Sequence, residues 1–456
     1  MPVIALYDLS PALRLMIMGM IVATGPLVWI WLRNRQATVS RRLQVLTLVT
    51  LFLTFDLVVF GAFTRLTDSG LGCPDWPGCY GHASPLGAQL HIDAAQTALP
   101  SGPVTHPKAW IEMIHRYLAT GVGVMILTLT AASWLECRSA RRRTLFKTVS
   151  EHGGEGSSAG PSQAMPAPSG GRALHAVSER GGAGSSAGPS QAMPAPSGGR
   201  ALHAVSERGG NISPWWPTFT LLWVCLQGAF GALTVTMKLF PAIVTMHLLG
   251  GLVLLALLKV QAVRHAQSDG ALVPVHLSSG MRIGVVATFS LLWLQIALGG
   301  WVSTNYAVLA CTEFPGCQGS LWPAMDFRQG FTFWRELGAG SNGDNISFQA
   351  LTAIHYVHRL SAYLVFAALL LLAYKLAQVP PLRTQARWLA GLAWLQVATG
   401  LGNVLLGWPL FAAVLHTAGA AALVVVLTGL VFCSRAKNRV VQGRVASKLN
   451  ASRLPA

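Results

Sequence analysis

The chain has 456 residues, of which 52% are hydrophobic and only 11% are charged, and it contains fifteen tryptophans. A single soluble core of this length cannot bury so much apolar surface, so the composition excludes an ordinary soluble protein and predicts a polytopic membrane protein. The formal net charge of +17 is explained by membrane topology, and no nucleic-acid partner is predicted from it.

Nine apolar stretches are long enough to cross a bilayer. They cover residues 12–32, 43–64, 110–135, 215–237, 241–262, 283–304, 351–375, 386–407 and 411–433. The pattern therefore predicts an all-α fold with nine transmembrane helices, numbered α1 to α9 in chain order.

Basic residues orient these helices, because cytoplasmic connections are enriched in Lys and Arg. Clusters follow α1, α3 and α9, and single residues flank the connections between α5 and α6 and between α7 and α8. We therefore expect a periplasmic amino terminus and a cytoplasmic carboxyl terminus. Residues 1–42 would form an extra amino-terminal helix with its cytoplasmic connection, residues 263–282 a cytoplasmic linker, and residues 434–456 a basic cytoplasmic tail.

A duplicated segment lies between α3 and α4. Ser150–Val177 is repeated almost letter for letter as Ser178–Val205. The segment is rich in Gly, Pro, Ser and Ala, and it has too few large apolar groups to offset the entropy of ordering. Residues 138–213 are therefore predicted to be a disordered cytoplasmic loop.

A second and more divergent repeat relates α2–α5 to α6–α9. Cys73-Pro-Asp-Trp-Pro-Gly-Cys79 matches Cys311-Thr-Glu-Phe-Pro-Gly-Cys317, and the step His115-Arg116 matches His358-Arg359. Leu226-Gln227 and Gly231 match Leu395-Gln396 and Gly400, and a histidine follows each glutamine after the same interval. The repeat predicts two pseudo-symmetric four-helix bundles, residues 43–137 with 214–262 and residues 283–433, related by an axis along the membrane normal.

Four histidines lie in the first turns of helices that begin on the same side of the membrane. They are His115, His247, His358 and His416. Such residues are costly to bury in a membrane, and a pair on facing helices can supply both axial ligands of a haem iron. A single interfacial histidine can also merely anchor a helix end, but recurrence in both halves favours two haem sites. Zinc is disfavoured because no third ligand recurs beside either pair.

Three arginines lie at the same helix ends, where the charge rule would leave them scarce. Arg65, Arg116 and Arg359 are therefore predicted to bind haem propionates, since a guanidinium group binds a carboxylate with two parallel hydrogen bonds. The alternative for each is a side chain that reaches up to lipid headgroups.

The cysteine pairs Cys73 with Cys79 and Cys311 with Cys317 lie in extended outer loops. An oxidising periplasm permits disulfides there, which we favour over a metal shared between the loops.

The two halves differ three residues before the His-Arg step. Glu112 lies on the helical face of His115, whereas His355 occupies the matching position before His358. A carboxylate beside one haem alone suggests that the sites do different work. The alternative for Glu112 is an interfacial carboxylate near a helix amino terminus, and His355 is either a substitute ligand or a donor to the ligand.

The segment from Gly61 to Gly81, together with Glu112-x-x-His115-Arg116, resembles the bacterial haem A synthase family over α2 to α9. The resemblance implies an oxidoreductase of the inner membrane that converts haem O to haem A by oxidising a porphyrin methyl group to a formyl group through hydroxylated intermediates. It also implies that His115 and His247 hold the substrate haem beside a catalytic Glu112, and that His358 and His416 bind a resident haem b.

The same resemblance implies a haem O synthase and oxidase assembly factors as partners, in addition to membrane lipid. Two other classes of function fit parts of the pattern. A dihaem membrane cytochrome that relays electrons needs the histidines but no Glu112, and a transporter needs broken helices and polar groups near the membrane centre.

Overall fold

The computed structural model describes residues 10–153, 213–340 and 344–433, with side chains described up to residue 143 in the first range. The chain divides into two compact units, one of residues 1–136 and 212–456 and the other of residues 137–211. The first unit contains the membrane helices. In the second unit, the described residues 137–153 are helical.

The described structure contains nine long helices, together with the shorter helix Gln89–Ala98 and a few single turns in the connections. Their bounds are Ser10–Arg33 (α1), Val39–Leu66 (α2), His106–Gly153 (α3), Trp215–Thr236 (α4), Pro241–Ser268 (α5), Ser279–Thr304 (α6), Phe348–Ala377 (α7), Arg383–Leu405 (α8) and Leu410–Cys433 (α9). Within the described ranges, nine segments are long and apolar enough to cross a membrane, and the only β-pairing there consists of isolated bridges. The predicted all-α polytopic membrane fold is confirmed.

The helices begin where the sequence supplies a cap. The side chains of Thr38, Ser278 and Ser347 accept a hydrogen bond from the third backbone N–H beyond them, at the starts of α2, α6 and α7. A capping oxygen satisfies one of the N–H groups that a helix start leaves without a partner. These caps place the helix starts up to four residues before the apolar stretches begin.

Helix α3 departs most from the prediction. It continues to Gly153, well past residue 135, where the apolar stretch ends. Hydropathy ends at the first polar residues, but a helix ends only where Gly, Pro or a competing cap interrupts it, and neither Gly nor Pro occurs between residues 124 and 152. The segment predicted as disordered therefore starts as helix. Most of both repeats and the basic tail 434–456 lie outside the described residues.

The helices of the first unit pack as two related groups. In the first half, α5 packs against α2 and α4, and in the second half, α7 packs against α6 and α8, which packs against α9. The halves meet where α9 packs against α2 and α5, and where α6 packs against α5. Helix α3 contacts α4 through hydrogen bonds from Thr130 and Trp134.

The extra amino-terminal helix α1 packs against α2 and crosses α3 closely. A Cβ atom at Gly19 would overlap the Cγ2 atom of Thr120, and a Cβ atom at Gly121 would lie 3.0 Å from the side chain of Val22. Small residues of this kind let two membrane helices approach each other. At its amino-terminal end, Leu15 packs with the buried Cys73 and Cys79.

Candidate functional site

Each of the four predicted haem ligands faces a glycine on the preceding long helix. His115 faces Gly61 and His247 faces Gly231, where a Cβ atom would lie 3.0 and 3.4 Å from the imidazole Cε1 atom. His358 faces Gly299 and His416 faces Gly400, with corresponding distances of 2.9 and 3.3 Å. Four helix pairs thus place an imidazole against a glycine. The repeat predicted from sequence is therefore also present in the individual contacts, since each half contains two such histidine–glycine pairs.

The histidines lie in two pairs, one in each half. His115 interacts electrostatically with His247, and His358 interacts with His416. All four histidines are partly buried, and the ring of Phe60 stacks on His115 with centroids 6.2 Å apart. The structure therefore brings together the pairs that the sequence predicts.

The chemistry of these donors suits a haem. The Nδ1 atom of His115 is buried without a hydrogen-bond partner, so this imidazole is not consumed by a structural hydrogen bond. Paired neutral imidazoles among apolar helices are the axial ligands used by membrane b-type haems. Among the described residues, no three His, Cys, Asp or Glu side chains form a group that could hold a metal ion.

Glu112 is buried between the first cysteine loop and the next turn of its own helix. One carboxylate oxygen accepts a hydrogen bond of 2.8 Å from the backbone N–H of Cys73. The other accepts one from the Nη2 atom of Arg116, which makes a buried ion pair. The carboxylate is therefore held in one orientation, one turn of helix from His115.

The two His-Arg arginines have partners that the sequence did not predict. The Nη1 atom of Arg116 donates to backbone carbonyls of the loop between Cys73 and Cys79, including that of Asp75 at 3.0 Å. Arg359 donates in the same way to Cys311 at 2.7 Å and to Glu313 at 2.8 Å. Both guanidinium groups fix a cysteine loop to the helix that carries a histidine. Their binding of propionates stays a prediction.

His355 occupies the position of Glu112 in the second half and is 5% exposed. Its Nε2 atom accepts a hydrogen bond of 3.3 Å from the Nε atom of Arg359. An imidazole therefore replaces a carboxylate beside the equivalent arginine, so the second half has no ion pair at this place.

Both predicted cysteine pairs are disulfide-bonded, with Cα atoms 4.9 Å apart in each. A carboxylate closes each loop, since Asp75 accepts from the N–H groups of Tyr80 and Gly81, and Glu313 accepts from that of Gly319. Burial, and then the Asp75 carboxylate, raise the pKa of Tyr80. The two loops thus share one construction.

Arg65 connects the two halves beside these loops. Its Nη2 atom donates to the carbonyl oxygen of Ser303 at 2.6 Å, and its guanidinium lies 4.2 Å from the ring centroid of Tyr306. Asp68 forms an ion pair with Arg65 at 3.3 Å and accepts a hydrogen bond of 2.6 Å from the Tyr306 hydroxyl. Burial is the largest cause that raises the pKa of Tyr306.

Sequence reasoning missed the polar groups behind two of the histidines. The amide nitrogen of Gln295 lies 3.0 Å from Nδ1 and 3.4 Å from Nε2 of His358, and the hydroxyl of Thr399 lies 2.9 Å from Nδ1 of His416. The sequence did contain a signal for these groups, because the two halves can be aligned on Gly61 and Gly299, which each lie twelve positions before the first cysteine of their half. Alignment on these glycines places Gln295 opposite Leu57, and alignment on Gly231 and Gly400 places Thr399 opposite Phe230.

Comparisons with known proteins agree with this arrangement. The model of the COX15-CtaA family, described as cytochrome oxidase assembly protein, matches residues 44–150 and 201–428. A protein of Shewanella oneidensis named "Heme A synthase" is 32% identical over 379 residues, which cover 83% of this chain and 92% of the relative. A Rhizobium meliloti protein of the same name is 25% identical over 402 residues, which cover 85% and 87% of the two chains. With most of its membrane helices matched, the chain belongs to the COX15-CtaA family of cytochrome oxidase assembly proteins.

Proposed function

We propose that this protein is a haem A synthase, an oxidoreductase that converts haem O to haem A. The reaction oxidises a methyl group of the porphyrin to a formyl group through hydroxylated intermediates. Relatives of that name align over most of their length. The observation that carries the proposal is the pair of equivalent histidine sites, of which one alone has a buried carboxylate beside it.

His115 and His247 would hold the substrate haem, and His358 and His416 would hold a haem b. The glycine contacts give every imidazole the same depth relative to its neighbouring helix, which supports one haem in each half. When bound, the haem irons supply the redox chemistry, because oxidation of an unactivated methyl group is beyond protein side chains. The protein supplies position, exclusion of water and fixed charge.

Glu112 is the proposed catalytic residue. Its carboxylate is fixed by the Cys73 N–H group and by Arg116 on the helix that carries His115. From this place it would stabilise positive charge that develops near the methyl carbon, or accept a proton when water adds. The second half has His355 instead, which fits a haem that transfers electrons without being altered.

Arg65 is the arginine best suited to a propionate. Unlike Arg116 and Arg359, it does not anchor a cysteine loop, and its partners are one carbonyl, the exposed Asp68 and an aromatic face. We propose that it binds a propionate with its remaining donors.

We further propose that the cysteine loops face the periplasm of a bacterial inner membrane, as the basic connections indicate. A haem O synthase would then supply the substrate within the same membrane, and oxidase assembly factors would receive the product.

The deciding experiment is a chromatographic profile of haems extracted from host membranes that contain this protein and a haem O synthase. We expect haem A or its hydroxylated precursor only when this chain is present. Glu112→Gln should retain haem and lower conversion about 100-fold, the usual scale for a general acid or base. The matched control is Glu313→Gln, an exposed loop carboxylate bonded only to the Gly319 N–H group, which should convert normally.

Two results would contradict the proposal. Undiminished haem A formation by Glu112→Gln would remove the catalytic assignment. Haem B bound without any conversion by the wild type would instead indicate an electron-relaying cytochrome.

A further inference from the structure

A groove lies between α7 and α8, at the ends of these helices that are farthest from the cysteine loops. Its volume is about 310 Å³, and it opens to the outer surface of the helix bundle. This volume is in the range of small-molecule sites. The lining consists of alanine and leucine side chains together with Tyr374 and Arg387. Because both helices are membrane-spanning segments, the opening of the groove faces lipid.

The groove exists because alanines occupy facing positions of the two helices. Ala373 and Ala377 lie one turn apart on α7, and Ala386 and Ala390 lie one turn apart on α8. Ala373 and Ala386 are only 5% and 2% exposed, which places them at the bottom of the groove. Small residues usually let two membrane helices approach each other. Here they leave a space that an apolar chain can fill.

Three cations lie at the open end of the groove. Arg387 lines it, and the Nζ atom of Lys375 lies 5.9 Å from the ring centroid of Tyr374 in its wall. The Nε atom of Arg383 donates to the carbonyl oxygen of Ala377 at 3.3 Å, which holds this guanidinium group beside the end of α7. Within the described part of the chain, none of the three cations forms an ion pair.

The helices that form the groove contain no acidic residue. The sequence has no Asp or Glu after Asp344, so α7, α8, α9 and the carboxyl-terminal tail all lack one. The connection between α5 and α6 differs, because it contains Asp269, which accepts a hydrogen bond of 2.8 Å from Ser40. Enrichment of Lys and Arg on one side of a membrane protein explains the positive charge. It does not explain an apolar groove that ends at a cation.

An anionic phospholipid matches both the groove and the charge. Its acyl chain is apolar, and its phosphate is an anion that a guanidinium group binds with parallel hydrogen bonds. Basic clusters beside a membrane helix attract such lipids. Tyr374 and Trp388 are 64% and 61% exposed here, as is typical of aromatic side chains at the level of the headgroups. A quinone or another neutral isoprenoid would fill the groove but would not use the cations.

We propose that the groove between α7 and α8 binds one anionic phospholipid, with an acyl chain along the alanines and the phosphate on Arg387. The lipid stabilises the packing of α7, which carries His358, against α8, whose Gly400 faces His416. This inference needs only the membrane fold, and it is independent of the reaction proposed above.

The test measures lipid binding to the purified full-length chain by native mass spectrometry. The probes are phosphatidylglycerol and phosphatidylcholine with the same acyl chains. Arg387→Gln removes the charge that lines the groove, whereas Ala377→Leu combined with Ala390→Leu fills the groove and keeps the charge. The controls are Arg282→Gln, at an exposed basic residue on the same membrane side, and Ala287→Leu, at an exposed alanine of α6.

We expect the wild type to retain one phosphatidylglycerol molecule in preference to phosphatidylcholine. Arg387→Gln should weaken phosphatidylglycerol binding about fivefold, the scale for one basic residue at a membrane surface, and leave phosphatidylcholine binding unchanged. The double alanine variant should weaken binding of both lipids, and the two controls should match the wild type. If the double variant does not fold, Arg387→Gln decides the question.

Three results would overturn the inference. Equal binding of the two lipids by the wild type, or equal losses in Arg387→Gln and Arg282→Gln, would indicate general attraction to a charged surface. A neutral isoprenoid retained in place of the phospholipid would identify another occupant. Haem extracted from the same samples tests the proposed function separately, so either hypothesis can fail without the other.

Discussion

The two halves of the bundle share a backbone plan and differ at a few side chains. Both have a disulfide loop closed by a carboxylate and tied down by an arginine, and both have two histidines that face glycines. Around the first pair there is a buried ion pair, and the Nδ1 atom of His115 has no hydrogen-bond partner. Around the second pair there is no ion pair, but both rings have polar partners. Duplication preserved the site and divergence changed its chemistry.

Under the proposed function, the comparison separates the features that would hold a haem from those that would act on it. Features common to both halves, the glycine contacts and the loop anchors, are those needed to build any site of this kind. We propose that a feature found in one half alone, the buried ion pair of Glu112 with Arg116, carries the functional difference. Variants made in matched pairs test this division.

The largest loss of stability is expected from substitution of Arg116 and Arg359, the two arginines that anchor the cysteine loops. Arg116→Met leaves the Glu112 carboxylate buried without its cation, which should cost roughly 3–5 kcal/mol of unfolding free energy. Arg359→Met removes only hydrogen bonds to loop carbonyls and to His355, at about 1–3 kcal/mol. Thermal unfolding in detergent measures both. Equal losses of stability in the two variants would show that the ion pair adds nothing. The double variant Glu112→Gln with Arg116→Met should be more stable than Arg116→Met alone, because it no longer buries an unpaired carboxylate.

An intermediate effect is expected at the glycines that face the histidines. Gly61→Ala or Gly299→Ala places a Cβ atom 3.0 or 2.9 Å from an imidazole carbon, so the ring must move. A cost of about 1.4 kcal/mol would lower haem occupancy roughly tenfold, and only in the half that carries the change. The measurement is the haem content per protein chain, with the haem of each half distinguished by redox titration.

Gly228→Ala and Gly284→Ala are the controls for these variants, because no heavy atom lies within 4 Å of a Cβ atom there. Loss of haem from both halves after a single glycine substitution would contradict the independence of the two sites.

The smallest effect is expected where the halves touch. Tyr306→Phe removes the hydrogen bond to Asp68 and should cost about 1 kcal/mol or less. Because the pKa of Tyr306 is raised, its contribution is present below the ordinary tyrosine pKa of about 10 and is lost as pH rises past that value. The unfolding temperature of the variant should therefore fall less between pH 8 and pH 10.5 than the unfolding temperature of the wild type does. An unchanged pH dependence would exclude Tyr306 as its source.

Much of the fold could be predicted from sequence because a membrane imposes long apolar helices. The nine segments were found within a few residues, except at α3, where apolarity ends before helical structure does. The repeat also predicted which histidines and cysteines pair, since each motif occurs at corresponding positions in both halves.

The roles of Arg116 and Arg359 could not be read in the same way. A charge at a helix end suits a propionate, a lipid headgroup or a loop carbonyl equally well, and only the path of the cysteine loop decides among them. The polar environment of His358 and His416 could not be predicted for a different reason. It lies in residues that the two halves do not share, and a search for repeats discards such residues.

The contacts between the halves join residues at equivalent positions, since Arg65 corresponds to Ser303 and Asp68 to Tyr306. Two copies of the first half, assembled in the same way, would place arginine beside arginine and aspartate beside aspartate. Two copies of the second half would bring together serine with serine and tyrosine with tyrosine, without any cation. At this contact the side chains of each half are thus complementary to those of the other half and less suited to a copy of themselves.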